Sequence, residues 1–426
     1  MTTGSASTAI GDSATSTATN PAVGLCVLIA DKFEQPGIDS LEALGCTVQS
    51  QPGLTADDLA SAVADCDPDV IVVRSTKVQT PVFEAAKKLS LVIRAGAGYD
   101  TIDIKTASAR GVFVANCPGK NSIAVAELTW ALILSCDRRV PDQTIELRSG
   151  QWNKKEYSKA AGLYGRTLGV VGLGKIGQEV AKRGRAFGMN VVAWSRSLTQ
   201  ENADRLGVGF CANIINLAKM SDVVSINIAA TPDTKNLIGE RFCNALKDGA
   251  YLVNTSRGSV IDQAALTAAI KKKGVRAGLD VYADEPAAND KTFSDAIVNE
   301  PGVYGTHHIG ASTDQAQQAI ADEVVRVVES YVNTGEVPNC VNRAASTTAT
   351  SLLTVRHLNK PGVLAHVFYT LGQANINVEE MENIIYEGAE AACARIQLDD
   401  LPDESEINAI RSNDNVLSVN ITSISD

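Results

Sequence analysis

Apolar positions along this chain fall into two alternating patterns. Short runs rich in Val, Ile and Leu, each ending in a small or polar residue, recur from Val23 onward: "VGLCVLIAD", "DVIVVRST" (69–76), "LVIRAGAG" (91–98) and "VFVANCPG" (112–119). Such continuous runs read as parallel strands covered on both faces. Stretches with helical spacing, such as "TADDLASAVADC", lie between them, which predicts βα units in succession. "NSIAVAELTWALILSCDRRV" (121–140) predicts one long helix, with Asn121 and Ser122 placed to cap its start. A second βα series follows in "TLGVVGLG", "NVVAWSRS", "VVSINIA", "AYLVNTSRG" and "RAGLDVY". "DQAQQAIADEVVRVVESYVNTGEVPN" (314–339) then has helical spacing closed by Gly and Pro. "RAASTTATS" (343–351) has linker composition, and the smaller unit after it reads βαββαβ. The expected fold is α/β: two doubly wound parallel-sheet, Rossmann-like domains and a C-terminal βαββαβ unit.

Composition narrows the function classes. The formal net charge of −11 argues against nucleic acid or an anionic membrane as the main partner. No apolar run reaches the roughly 18 residues that would suggest a transmembrane helix. The nine cysteines are scattered without a CxxC pair, so reduced thiols, no metal site and a reducing, cytoplasmic setting are expected. Residues 1–22 are rich in Ser, Thr and Ala and are expected to form a disordered tail.

The chemistry begins at "VVGLGKIGQEVAKRGRAFG", which carries Gly172, Gly174 and Gly177 between a strand and a helix. That is the context a dinucleotide fingerprint requires: a tight turn, a backbone open to a pyrophosphate, and close helix–strand contact. The next strand should end in an acid for the ribose hydroxyls. It ends instead in Ser195, Arg196 and Ser197, so NAD and NADP both remain open. Arg257 follows the strand in "NTSRG", where a guanidinium can hold a carboxylate with two parallel bonds. Asp280, Asp284 and Glu285 all lie just past another strand in "LDVYADEP", and spacing alone does not separate them. Two of the four histidines, His307 and His308, stand together in "GTHHIGAST".

In this order and spacing, "GLGKIG", "NTSRG", "LDVYADEP" and "HHIGAST" resemble the D-isomer-specific 2-hydroxyacid dehydrogenases. "VRSTKV", "RAGAGYDTID" and "NCPGKNSIAVAEL" extend the resemblance, and the C-terminal unit resembles an ACT-type regulatory domain; together they cover residues 23–426. The resemblance implies a substrate-binding domain at 23–121 and 315–343, a dinucleotide-binding domain at 122–314 and an ACT domain at 347–426. It makes His308 the acid/base, with His307 at a position where relatives commonly carry proline. It implies that Glu285 pairs with His308 and favours imidazolium, and that Arg257 holds the substrate carboxylate. Asp280 would meet the nicotinamide carboxamide, and Lys175, Ile176, Thr255 and Gly310 would contact NAD or NADP. Arg74, Ser75, Gly96, Ala97 and Gly98 would face a small phosphorylated hydroxy acid, with Arg74 on the phosphate and Lys77 solvated. Arg148, Lys154 and Lys155 would approach from a partner subunit of a homodimer or homotetramer. His357, Asn359 and Asn377 match positions that would bind an L-serine effector. Reduction of hydroxypyruvate or glyoxylate, or dinucleotide sensing without turnover, are the alternatives on the same fold.

Overall fold

The apolar runs become strands whose side chains are covered on both faces. The computed structural model describes residues 24–286 and 292–424; the stretch expected to be a disordered tail lies outside the described residues. Among the described residues no helix is long and apolar enough to cross a membrane. The contacts divide the chain into two units, residues 1–342 and 343–426.

The first unit holds two all-parallel sheets. One contains β1 (Cys26–Ile29), β2 (Thr47–Ser50), β3 (Val70–Val73), β4 (Leu91–Arg94) and β5 (Phe113–Asn116) in the order β2-β1-β3-β4-β5. The other contains β6 (Thr167–Val171), β7 (Asn190–Trp194), β8 (Gly209–Phe210), β9 (Val223–Ile226), β10 (Tyr251–Asn254), β11 (Arg276–Leu279) and β12 (Val303–Gly305). Its order is β12-β11-β10-β9-β6-β7-β8. Both orders reverse direction once, between β1 and β3 and between β6 and β9. Open α/β sheets bind ligands at such switch points, beyond the carboxyl ends of the strands.

Two helices tie the sheets together. Ser122–Arg138 lies against the second sheet, and Leu132 packs over Gly278 of β11. The single helix expected over 121–140 ends at Arg138 instead. Arg139 turns left-handed at φ 52° and a new helix starts at Val140, because Pro141 lacks the N–H that a continuing helix needs and its ring would clash with the preceding turn. Nor does Asn121 cap the start: at φ −99°, ψ 3° it lacks the extended backbone of a capping residue. The helix Asp314–Thr334 returns to the first sheet and buries Ile320, Val324, Val327 and Val328 with Val27, Ile29, Val70 and Val72. Thr313 caps its N-terminus, and Gly335 at φ 74° stops it short of residue 339.

The second unit is βαββαβ, as the sequence predicts. β13 (Ser351–Leu358), β14 (Val378–Ile385), β15 (Ala391–Leu398) and β16 (Val416–Ser423) form a sheet in the order β14-β15-β13-β16 with every neighbouring pair antiparallel. The helices Val363–Gln373 and Glu404–Arg411 contribute to a core of Leu353, Val355, Val367, Leu371 and Ile410.

Candidate active site

The carboxyl ends of the strands gather the polar residues. After β12 the chain makes a tight turn in which His308 adopts φ 53°, a left-handed conformation uncommon outside glycine. Its backbone N–H donates to the Asp280 carbonyl at 2.8 Å. The Asp280 side chain, 1% exposed, holds the rest of the turn. Oδ1 accepts from Thr306 Oγ1 at 2.6 Å and the Ile309 N–H at 2.9 Å, and Oδ2 accepts from the Gly310 N–H at 2.9 Å. Both oxygens of the residue expected at the nicotinamide are therefore engaged by the histidine turn.

Of the three acids that spacing left open, Glu285 reaches His308: Nδ1 and Oε2 are 2.7 Å apart. Its other oxygen accepts from the Tyr282 N–H at 3.1 Å. Burial would raise the Glu285 carboxyl, but His308, the Tyr282 N–H and the charge of Arg257 hold it below its ordinary value. The acid is thus kept ionised beside the ring. With Nδ1 engaged, Nε2 is the ring nitrogen left for a substrate proton. Asp284 and His307 are exposed.

Arg257 is brought close because Gly258 packs against the backbone of Tyr282, where a Cβ would collide. Its guanidinium lies on Gly98, so the arginine expected to hold a carboxylate meets the expected Gly96–Gly98 turn. There it already holds one: Nε lies 3.2–3.3 Å from both Asp100 oxygens, and Nη2 donates to Asp100 Oδ1 at 3.0 Å. Nη1 donates to the Ser256 carbonyl at 2.8 Å. Burial would raise Asp100, yet Arg257 and, behind it, Arg94 keep it low.

Arg94 ends β4 beside the same turn. Its guanidinium occupies the space a Cβ on Gly96 would need, and its Nε is buried without a partner among the described residues. Burial, then Arg257 and Arg74, push it down to about 10. Sequence reading missed Arg94 and Asp100. The signal for Arg94 was present, since it stands at a strand's carboxyl end as Arg257 does.

Arg74 reaches Ser312 Oγ at 3.2 Å through Nη2. Its turn is set by Asp31 at the end of β1. That carboxylate accepts the N–H groups of Arg74 (2.6 Å), Ser75 (3.1 Å) and Thr76 (3.1 Å), and the Ser75 hydroxyl at 2.9 Å. Burial opposes the charge of Asp31, and these donors outweigh it. Asn116 donates to the Ala97 carbonyl at 2.6 Å. Lys77 is exposed, as are Arg148, Lys154 and Lys155 on the helices Val140–Arg148 and Lys154–Tyr157.

The glycine turn has the form a dinucleotide needs. Gly172 has φ 93°, and a Cβ there would meet the Asn227 carbonyl at 2.5 Å. A Cβ on Gly177 would run into the Gly172 carbonyl, so the helix sits directly on the strand. A Cβ on Gly174 would enter open space at the start of the helix Lys175–Ala186, the place for a pyrophosphate at a helix N-terminus. Lys175 Nζ donates to the Pro118 carbonyl at 3.2 Å, whereas Ile176 packs on the core. Thr255, largely buried, shares a 2.9 Å hydrogen bond with Thr129. Ser195 is partly buried and Arg196 and Ser197 are exposed, with no acid beside them in the strand end.

In the C-terminal unit the three expected effector residues differ. Asn359 and Asn377 are exposed. His357 is 2% exposed, with Nδ1 2.8 Å from the Leu358 carbonyl and Nε2 3.3 Å from Asn383 Oδ1, so this unit closes it off from solvent.

Residues 130–310 match the family model for the NAD-binding domain of D-isomer-specific 2-hydroxyacid dehydrogenases. The chain is 39% identical over 323 residues to a D-3-phosphoglycerate dehydrogenase of Methanocaldococcus jannaschii, covering 73% of this chain and 60% of that one. It thus spans about three-fifths of the length of that curated relative. It is also 36% identical to a glyoxylate reductase of Thermococcus litoralis, covering 68% of this chain and 88% of that one. Among solved structures, the D-lactate dehydrogenase of Aquifex aeolicus, in complex with NAD and lactic acid, aligns with TM-score 0.64 at 26% identity. That alignment covers 75% of this chain and 100% of the other.

Proposed function

This chain belongs to the D-isomer-specific 2-hydroxyacid dehydrogenases, and from that premise we propose that it oxidises 3-phospho-D-glycerate to 3-phosphohydroxypyruvate, the step that opens L-serine biosynthesis. The observation that carries the substrate is a group of three guanidiniums: Arg94 against Gly96, Arg257 against Gly98, and Arg74 near enough to Arg94 to repel it. One arginine suffices for a carboxylate; a phosphate needs further positive charge. The same activity in the name of the Methanocaldococcus relative supports the reading.

Gly172, Gly174 and Gly177 would hold NAD, which would supply the acceptor for a hydride from the substrate's second carbon. The protein's own residues do the rest. Arg257 fixes the substrate carboxylate, and Arg94 and Arg74 take the phosphate end. His308 Nε2 receives the hydroxyl proton, while Glu285 on Nδ1 orients the ring and stabilises its charged form. Thr255, hydrogen-bonded to Thr129, contacts the cofactor. The C-terminal unit acts as an ACT-type regulatory domain that takes serine at the exposed Asn359 and Asn377.

Reduction of glyoxylate or hydroxypyruvate is the second reading. It is favoured by the acid-free, exposed end of β7, which suits NADP, and by the Thermococcus relative. The two are separated by comparing kcat/KM for 3-phospho-D-glycerate and unphosphorylated D-glycerate with NAD, and for glyoxylate with NADPH. A preference for the phosphorylated acid that collapses in Arg94→Ala is expected. Equal rates with and without the phosphate would overturn the reading.

A further inference from the structure

Asp100 lies on the loop that follows β4, on the lobe opposite Arg257, and its carboxylate is bound by the arginine expected to hold the substrate. The geometry can be counted. A guanidinium carries five N–H groups. Asp100 takes the Nε hydrogen and one on Nη2, and the Ser256 carbonyl takes one on Nη1. One hydrogen is left on each terminal nitrogen, so two donors stay free for a second anion. Asp100 therefore does not use up the arginine; it decides which hydrogens remain.

We propose that Asp100 is a positioning residue: it aims Arg257 at the substrate carboxylate and ties that arginine to the lobe carrying Arg74 and Arg94. The protein's two anion-binding groups are then presented at a fixed separation, although they come from different sheets. Gly98 is the part of the loop that lets this happen, because any side chain there would displace the guanidinium. Asp100 also sets a carboxylate against both Arg94 and Arg257, which repel each other. A buried or half-buried cation pair is tolerated when an anion stands between its members. The inference rests on the dehydrogenase reading above for the identity of the substrate, but not for the carboxylate site itself.

The test uses the full-length chain and two variants. Asp100→Asn keeps an oxygen acceptor without the charge, and Asp100→Ala removes both. The expected result is a KM for the 2-hydroxy acid raised roughly 10- to 100-fold, the scale of a substrate misplaced by about 1 Å, in the order Ala above Asn above wild type. KM for NAD should stay within about twofold, which a general loss of folding would not allow. Binding of oxamate, a 2-oxo acid analogue with a single carboxylate, in the presence of NADH is measured by calorimetry on the same three proteins and should weaken in the same order. A wild-type enzyme that turns over no 2-hydroxy acid, yet whose oxamate binding weakens in both variants, sinks the dehydrogenase reading and leaves Asp100 as a positioning residue. An unchanged or lowered KM, or oxamate binding that is absent in the wild type or equal in all three, overturns the proposal. A lowered KM would mean that Asp100 competes with substrate for Arg257.

Discussion

Replacing Asp280 by Asn separates two roles for that residue. The carboxylate is 1% exposed and receives three hydrogen bonds, from Thr306, Ile309 and Gly310. In the better of its two orientations, an asparagine oxygen at Oδ1 keeps the first two donors while its NH₂ confronts the Gly310 N–H. At least one buried donor, the Gly310 N–H, then goes unsatisfied, at about 1–3 kcal/mol, the new NH₂ facing it gains no partner there, and the surviving two bonds each lose the roughly 1 kcal/mol that separates charged from neutral hydrogen bonds. The sum is about 3–5 kcal/mol, near the top of the range for point mutants. The same turn carries His308, so its ring should move off line and kcat should fall roughly 100-fold. Denaturant unfolding gives the first number and steady-state kinetics the second. Stability within about 0.5 kcal/mol of wild type, with the whole defect in KM for NAD, would refute the reasoning. That outcome would make Asp280 a nicotinamide contact rather than the anchor of the turn.

Three further outcomes are expected. His308→Ala should lower kcat by roughly 10²–10⁴-fold, the usual share of a general base, while the exposed His307→Ala remains near wild type in the same assay; a dead His307 variant reverses the assignment. Arg196→Ala should weaken NADP more than NAD, measured by fluorescence titration of the reduced cofactors, and equal loss of both would remove Arg196 from cofactor choice. Glu323, bound by Arg326 at 2.5 Å, Lys120 at 3.0 Å and Asn339 at 2.7 Å, is held at about 2 against an ordinary 4.5, with the Arg326 hydrogen bonds the main cause. A depressed acid stabilises the fold above its unfolded value and loses that contribution as pH falls from about 4.5 toward 2. Glu323→Gln should therefore cost about 3 kcal/mol at neutral pH and flatten the acid limb of the stability curve, and an unchanged limb in acid titration followed by circular dichroism would contradict this.

What could be read from sequence was what is local. The strands announced themselves because parallel strands are apolar on both faces, and the Gly172–Gly177 turn because its three glycines each answer a steric demand of the βα crossing. The break at Pro141 is equally local, but the apolar pattern runs through it uninterrupted and hides it. Asp280, Asp284 and Glu285 could not be ranked by spacing, because their difference lies in where the irregular backbone after β11 sends each side chain. Asp280 folds back under the histidine turn, Glu285 reaches the ring, and Asp284 faces water. Asp100 was out of reach for another reason. Its partner lies 157 positions away on a different sheet, and nothing in "GAGYDTID" states that the two lobes meet there. His357 shows the same limit: its motif position is plain in sequence, but its burial depends on the packing of β13 in the four-stranded sheet.

The most direct test of the account is product formation by the wild-type chain. 3-Phospho-D-glycerate and NAD are supplied, and NADH is counted against 3-phosphohydroxypyruvate identified by mass. One of each per turnover is expected, with kcat/KM well above that for D-glycerate. NADH from D-glycerate but none from the phosphorylated acid, or no NADH from either while glyoxylate is reduced, would contradict it.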